Sequence, residues 1–350
     1  MTDSSPIDLR SDTVTRPTAA MRSALAAAPV GDDQFGEDPS MNALQDYVAS
    51  LLGKEGALWL PSGTMANQVA LRTLTRPGDD VIVVRESHVV WHEAGGGAAN
   101  SGVQLTEVGD RGCFTAEAFL ALRKPRGHLL YPPTTLVWVE NTHNRAGGVV
   151  FPQDEAQRIC AAASRHDVLS YLDGARLWNA AIATGRSPAQ LAAPFDLVGV
   201  ALSKGLGAPG GSLLAGTRDT LINAARHRRR LGGAMRQVGI FAAAGMHALE
   251  HQFDRLAEDH MHARSLATSL AQSARIVIDL DTVQTNIVVF TLANDAPDAA
   301  TLVARARERG VLVLAFGPRT VRAVTHLDVS GAQCERAARI LAGLAEDRGE

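Results

Sequence analysis

Lys204 stands between an apolar run and a glycine cluster, in the stretch V-G-V-A-L-S-K-G-L-G-A-P-G-G-S-L-L-A from Val198 to Ala215. An amine at that point has three chemistries open to it: a surface cation closing a strand, a phosphate ligand, or a nucleophile that forms a Schiff base. The third requires other groups that hold a carbonyl compound. Asp173 closes the hydrophobic run of V-L-S-Y-L-D-G-A-R and precedes Gly174, which suits a carboxylate facing a crevice. It would hold a proton on a heterocyclic nitrogen and raise the electron-sink capacity of a pyridine ring. Capping of the following helix is the plain alternative. Gly63 and Thr64, in P-S-G-T-M-A-N-Q, offer N–H groups and a hydroxyl at a helix start. Such a start accepts a phosphate, although Ser-Gly-Thr also serves simple capping. His88 follows V-I-V-V and could cover a flat ring, act as a base, or sit as a structural histidine. Glu93, five residues on, is a partner in base chemistry or a salt-bridge residue.

Four arginines extend the set. A guanidinium fork matches two carboxylate oxygens, which makes Arg176 and Arg322 candidate anchors for a substrate carboxylate, with Arg319 competing for the second place. Arg236, after G-G-A-M, would neutralise a phosphate or tie a long helix to its neighbour. A surface salt bridge is an equal alternative for each arginine. A lysine after one strand, an aspartate ending another and a glycine-flanked anion site together point to pyridoxal 5'-phosphate.

Such residues converge where parallel strands end in an open α/β sheet. The chain supplies the strands as short apolar runs without strict polar alternation: A-L-W-L, V-I-V-V, L-V-W-V-E-N, V-L-S-Y-L-D and D-L-V-G-V-A-L. Helical spacing separates them, as in Asn42 to Leu52 with Gly53 as C-cap and in Gln153 to Ser164. That alternation predicts a mostly parallel sheet covered on both faces. A helical stretch is expected from Arg218 to Gln272, broken near Gly232-Gly233. The pattern then changes to I-V-I-D-L, N-I-V-V-F-T-L, a helix over Ala299 to Arg309, V-L-V-L-A-F and T-V-R-A-V-T-H, a compact α+β layer. The division expected is an irregular N-terminal arm and active-site loop over 1–40, a large cofactor-binding domain over 41–264 and a small domain over 265–344. A loose tail follows from Ala345.

The 350 residues fit one large α/β unit plus a smaller one. No apolar run is long enough to span a membrane, and the polar start does not read as a targeting peptide. The net charge of -3, with one basic cluster over Arg226 to Arg230, argues against a nucleic-acid surface. Cys113, Cys160 and Cys334 have no metal-knuckle or disulfide spacing, which suits reduced thiols in a cytoplasmic chain and no metal site.

Longer motifs then add to the reading: I-D-L-R-S-D-T-V-T, G-D-D-Q-F-G-E-D-P, E-N-T-H-N, L-D-G-A-R-L-W-N-A, L-S-K-G-L-G-A-P-G-G and G-G-A-M-R-Q-V-G. With P-S-G-T-M-A-N-Q they occur in the order found in the low-specificity L-threonine aldolases, and the chain resembles that family from Ile7 to Asp328. The resemblance implies fold type I of the pyridoxal-phosphate enzymes: a large domain on a mostly parallel seven-stranded sheet and a small C-terminal α+β domain. It implies Lys204 as the Schiff-base lysine, Asp173 on the pyridinium nitrogen, and His88 stacked on the ring with a part in proton transfer. Gly63, Thr64 and Arg236 would serve the phosphate, the arginine coming from a neighbouring subunit or an adjacent helix. Ser11, Arg176 and Arg322 would bind the amino-acid carboxylate. Cleavage of L-threonine or L-allo-threonine to glycine and acetaldehyde follows, in a homotetramer of dimers with shared active sites.

Two departures from the family pattern lie near this site. Gln34-Phe35 stands where valine-tyrosine is common, and Pro209-Gly210-Gly211 replaces proline-valine-glycine. Neither removes a residue the chemistry requires. For the hydroxyl proton, the sequence leaves His88, or a water held by His88 or Glu93, as alternatives. Elimination, racemisation or transamination would keep the cofactor and break another bond. A non-catalytic scaffold of the same fold would not need Lys204 and Asp173.

Overall fold

The computed structural model describes residues 5–347. The chain opens on β1 (Ile7–Asp8), α1 (Ala19–Ala26) and α2 (Pro39–Leu52), then alternates β2 (Gly56–Leu60), α3 (Gly63–Leu74), β3 (Asp80–Val84), α4 (His88–Trp91) and β4 (Gln104–Val108). It continues through α5 (Ala116–Leu122), β5 (Thr134–Glu140), α6 (Gln153–Ser164), β6 (Leu169–Gly174), α7 (Leu177–Thr184) and α8 (Pro188–Ala192). Next come β7 (Leu197–Ala201), β8 (Ser212–Gly216), α9 (Arg218–Arg230), α10 (Gly239–His251) and α11 (Leu256–Leu270). The last part holds β9 (Ile276–Val277), β10 (Ile287–Leu292), α12 (Ala299–Glu308), β11 (Val311–Leu312), β12 (Leu314–Ala315), β13 (Thr320–Val324) and α13 (Gly331–Glu346).

Seven strands form the central sheet in the order β2-β8-β7-β6-β5-β3-β4. Every neighbouring pair from β7 to β4 is parallel, while β8 runs antiparallel to both β7 and β2. The period of two sorts the side chains. Val81 and Val83 join the apolar cluster under α3 and α9, whereas Ile82 and Val84 join the larger cluster under α2, α6, α7 and α10. Leu136, Trp138 and Tyr171 lie on the first face, and Val137, Val139 and Leu172 on the second. Continuing the alternation puts Glu140 and Asp173 on the α3 face at the C-terminal ends of their strands, and the two are register partners. The sequence pattern therefore aims two carboxylates at one crevice.

A second sheet, β12-β13-β10-β9, is antiparallel and carries its own core, with Val288, Phe290, Val321 and Ala323 packed under α11, α12 and α13. The expected seam at 264/265 falls inside α11, whose Ala263, Leu266 and Leu270 belong to this second core. The N-terminal arm is more ordered than expected. Its β1 pairs in parallel with β11, Ile7 and Leu9 enter the second core, and α1 is capped by Thr18. The helical stretch expected from Arg218 to Gln272 is α9, α10 and α11, with the expected break at Gly232-Gly233 between α9 and α10 and a second between α10 and α11, and α13 runs through Glu346. Residues 348–350 of the expected tail, like 1–4 of the arm, lie outside the described residues. Among the described residues no helix is long and apolar enough to cross a membrane.

Candidate active site

The C-terminal ends of β3, β5, β6 and β7 and the start of α3 surround a cavity of about 790 Å³, part of it open to solvent. Lys204, Asp173, His88, Arg176, Gly63 and Thr64 line it, with Thr13, Asn67, Glu140, Thr142, Asn144, Tyr171, Ser203 and Ser212. Six of the residues singled out in the sequence thus meet at one place. Each arrives from the element the pattern assigned: Lys204 after β7, Asp173 ending β6, His88 opening α4 just beyond β3.

Among the described residues Lys204 Nζ makes no hydrogen bond or ion pair, and burial with the Arg176 charge lowers its amine to about 8, against the opposing pull of Asp12, Asp173 and Glu140. A lowered lysine is the form that attacks a carbonyl near neutral pH. Asp173 accepts from Asn67 Nδ2 at 2.8 Å and from the Ala175 N–H at 3.2 Å, and it is 3% exposed. His88 is held at both ends. Its backbone N–H donates to Glu140 Oε2 at 2.6 Å, and its Nδ1 lies 2.9 Å from Glu93 Oε1. Burial disfavours the imidazolium, but the Glu93 hydrogen bond and the charge of Asp173 outweigh it and raise the group. A carboxylate on Nδ1 favours the tautomer whose Nε2 carries the free lone pair.

At the far end, Ser62 caps α3 by accepting from the Met65 N–H, which leaves the N–H groups of Gly63 and Thr64 in the first turn beyond reach of any intrahelical carbonyl. Ser212 and Thr142 line the cavity, and among the described residues their buried Oγ and Oγ1 have no hydrogen-bond partner. A Cβ added to Gly63 would lie 3.6 Å from Ser212 Oγ, in ordinary van der Waals contact, so the two residues face each other across this end of the cavity. An anion with several acceptor oxygens fits there, a proton-bearing ring nitrogen fits Asp173, and an aldehyde fits Lys204. These residues suit pyridoxal 5'-phosphate.

Four of the expected site residues do not line the cavity. Glu93 has a fully buried side chain that lies against His88 Nδ1 and accepts from Asn67 and Gln68. Arg236 pairs with Asp32 at 3.0 Å, away from the cavity of its own chain. Ser11 caps a short 3-10 turn over Asp12–Val14, accepting from the Thr13 N–H at 3.3 Å, and Thr13 lines the cavity in its place. Arg322 donates to Asn144 Oδ1 at 2.6 Å and to the Arg10 carbonyl at 3.0 Å, lies 4.4 Å from the Phe316 ring centroid, and among the described residues its buried Nε has no partner. Its competitor Arg319 is spent on the carbonyls of Leu292, Ala293 and Ala296.

Arg176 lines the cavity, yet its Nε and Nη2 both donate to Asp12 at 2.7 Å, which leaves Nη1 for a ligand. Asp12, Asn67, Glu140, Asn144, Tyr171 and Ser212 were not singled out in the sequence. For Asn67 a signal existed: it follows Gly63 by four residues, one turn along the same helix face. Glu140 had another, as the residue two beyond Trp138 on a buried strand.

Residues 8–293 match the model of a family described as beta-eliminating lyase. The chain is 41% identical to the low-specificity L-threonine aldolase of Escherichia coli K12, over 93% of this chain and 96% of that one. It is 38% identical to low-specificity L-threonine aldolase 1 of Arabidopsis thaliana, over 93% and 92%. In fold it is similar to the Leishmania major threonine aldolase, with a TM-score of 0.82 at 21% identity over 97% of this chain and 100% of that one. The Sphingomonas wittichii serine palmitoyltransferase has the same fold, with a TM-score of 0.75 at 19% identity over 97% and 87%.

Proposed function

The chain belongs to the beta-eliminating lyase family, and on that premise we propose that it is a pyridoxal-5'-phosphate-dependent aldolase. It cleaves L-threonine, L-allo-threonine and related β-hydroxy-α-amino acids to glycine and an aldehyde. The observation that carries this reading is the convergence of Lys204, Asp173 and His88 on one cavity. When bound, the cofactor supplies an electron sink for the pair left on Cα as the Cα–Cβ bond breaks. Lys204 would hold it by its aldehyde carbon and Asp173 by its ring nitrogen. Gly63, Thr64 and Ser212 would hold its phosphate, with Arg236 neutralising that phosphate from a neighbouring subunit.

The chain's own residues then set which bond breaks. Arg322, with its unpartnered Nε, and Arg176, through Nη1, would take the substrate carboxylate, and Ser11 would add a hydroxyl from the arm. A carboxylate fixed at two points limits rotation about the amine and selects the bond to be cleaved. His88 would accept the β-hydroxyl proton at Nε2, directly or through one water, because Glu93 occupies Nδ1. Glu93 would serve through His88, whose Nδ1 it meets. We further infer a cytoplasmic homotetramer, a dimer of dimers with shared sites. Support comes from the exposed apolar residues Phe35, Met235 and Ile240, on or beside the paired loops that carry Asp32 and Arg236.

The test is product analysis. Cofactor-loaded protein given L-threonine or L-allo-threonine should release glycine and acetaldehyde in equal amounts, and Lys204→Ala should release neither. Ammonia with 2-oxobutanoate, or D-allo-threonine from L-threonine and D-threonine from L-allo-threonine without glycine, would replace the aldolase reading with elimination or racemisation.

A further inference from the structure

Two carboxylates serve the cavity, Asp173 lining it at the end of β6 and Glu93 set back from it just after α4, and among the described residues a single side chain hydrogen-bonds both. Asn67, on the inner face of α3 and 5% exposed, donates through Nδ2 to Glu93 Oε1 at 2.6 Å and to Asp173 Oδ2 at 2.8 Å. Its Oδ1 accepts from the Tyr171 hydroxyl at 2.9 Å. The amide cannot be turned over, because its oxygen would then face two carboxylates and its nitrogen a hydroxyl donor. Glu93 Oε1 also meets His88 Nδ1, and Glu93 Oε2 accepts from Gln68 Nε2 at 2.6 Å. Behind these, Asn100 Nδ2 donates to Gln68 Oε1 at 3.1 Å. A Cβ on Gly96 would come within 2.7 Å of Gln68, so that glycine lets the backbone close over the network.

We propose that Asn67 is a positioning residue whose one amide fixes the His88–Glu93 pair and the Asp173 carboxylate in a common register. The proposal rests on the reading above, in which Asp173 and His88 serve the cofactor. A neutral donor shared by two buried carboxylates satisfies an oxygen on each and adds no charge of its own. Aspartate at position 67 would add a third acceptor, and leucine would leave two buried oxygens short of a donor. Tyr171 completes the device. It is fully buried, and burial together with Asp173 and Glu93 raises its hydroxyl well above the usual range, so it remains a donor and orients the amide. Among the described residues its hydroxyl has one hydrogen bond, to Asn67.

That last point gives the test. Full-length protein stripped of cofactor is titrated with pyridoxal 5'-phosphate, and Kd is read for wild type, Asn67→Leu, Tyr171→Phe and the double variant, with thermal unfolding in parallel. Asn67→Leu is expected to raise Kd about tenfold or more. Tyr171→Phe should raise it by a smaller factor in the wild-type background and not at all in the Asn67→Leu background. A merely structural asparagine would lower the melting temperature without this non-additive cycle in affinity. Wild-type affinity in folded Asn67→Leu, or a Tyr171→Phe effect that persists unchanged beside Asn67→Leu, overturns the proposal. Should Asn67→Leu not fold, Asn67→Ala removes the same donors without added bulk and carries the same cycle. Failure of the wild type to bind the cofactor would instead count against the functional reading.

Discussion

At the scale of single residues, charge placement does most of the chemical preparation. Lys204 is drawn down to about 8 because burial and Arg176 outweigh the carboxylates of Asp12, Asp173 and Glu140. The rate at which an aldehyde attaches to the cofactor-free protein should therefore rise through a midpoint near pH 8; a midpoint near 10.5 would show an ordinary lysine. Arg176 and Asp12 form a buried bidentate pair. Removing one partner leaves an uncompensated buried charge, so Asp12→Ala should cost about 3 to 5 kcal/mol in denaturant unfolding. Lys204, Asp173 and His88 were legible in the sequence because each sits at or just beyond the end of an apolar run. Asp12 was not, because its partner lies 164 positions away. Nor was the fate of Arg176, since residue type alone cannot tell whether a guanidinium fork is free or already occupied.

At the scale of elements, the alternation of apolar runs and helical spacing revealed the parallel strands, and the period of two explains why Glu140 and Asp173 share a face. It did not reveal that β8 runs antiparallel, since a fully buried strand reads the same in either direction. It also left the arm irregular, because β1 is only two residues long and gains its order from β11, some three hundred positions away. Packing between neighbouring strands leads to a prediction. A Cβ on Gly199 of β7 would lie 2.1 Å from the Tyr171 hydroxyl on β6. Gly199→Ala should therefore destabilise by about 1 to 3 kcal/mol and displace the ring that orients Asn67. Between α11 and α7, His260 lies 3.2 Å from Asn179, and burial lowers its imidazole from 6.5 to about 4. Between those values the unfolded chain binds the extra proton, so stability falls as pH drops from 6.5 towards 4, by up to about 3 kcal/mol. Unfolding measured across that range should show the loss, and His260→Gln should flatten it.

At the scale of the whole molecule, one of the four expected residues that do not line the cavity of one chain points to a partner. Arg236 faces outward on a loop bound to Asp32 and Asp33. If it serves a partner's phosphate, mixing Lys204→Ala chains with Arg236→Ala chains should restore activity, because each hybrid dimer rebuilds one intact site. No recovery on mixing would place Arg236 outside the site. The central claim is that the cavity at the ends of β3, β5, β6 and β7 is the catalytic site and that it is built on Lys204. Borohydride reduction of the cofactor-loaded protein, followed by peptide mapping, tests this most directly. A stable pyridoxyl adduct is expected on Lys204, absent from Lys204→Ala. An adduct on another lysine, or none at all on protein that still cleaves threonine, would contradict it.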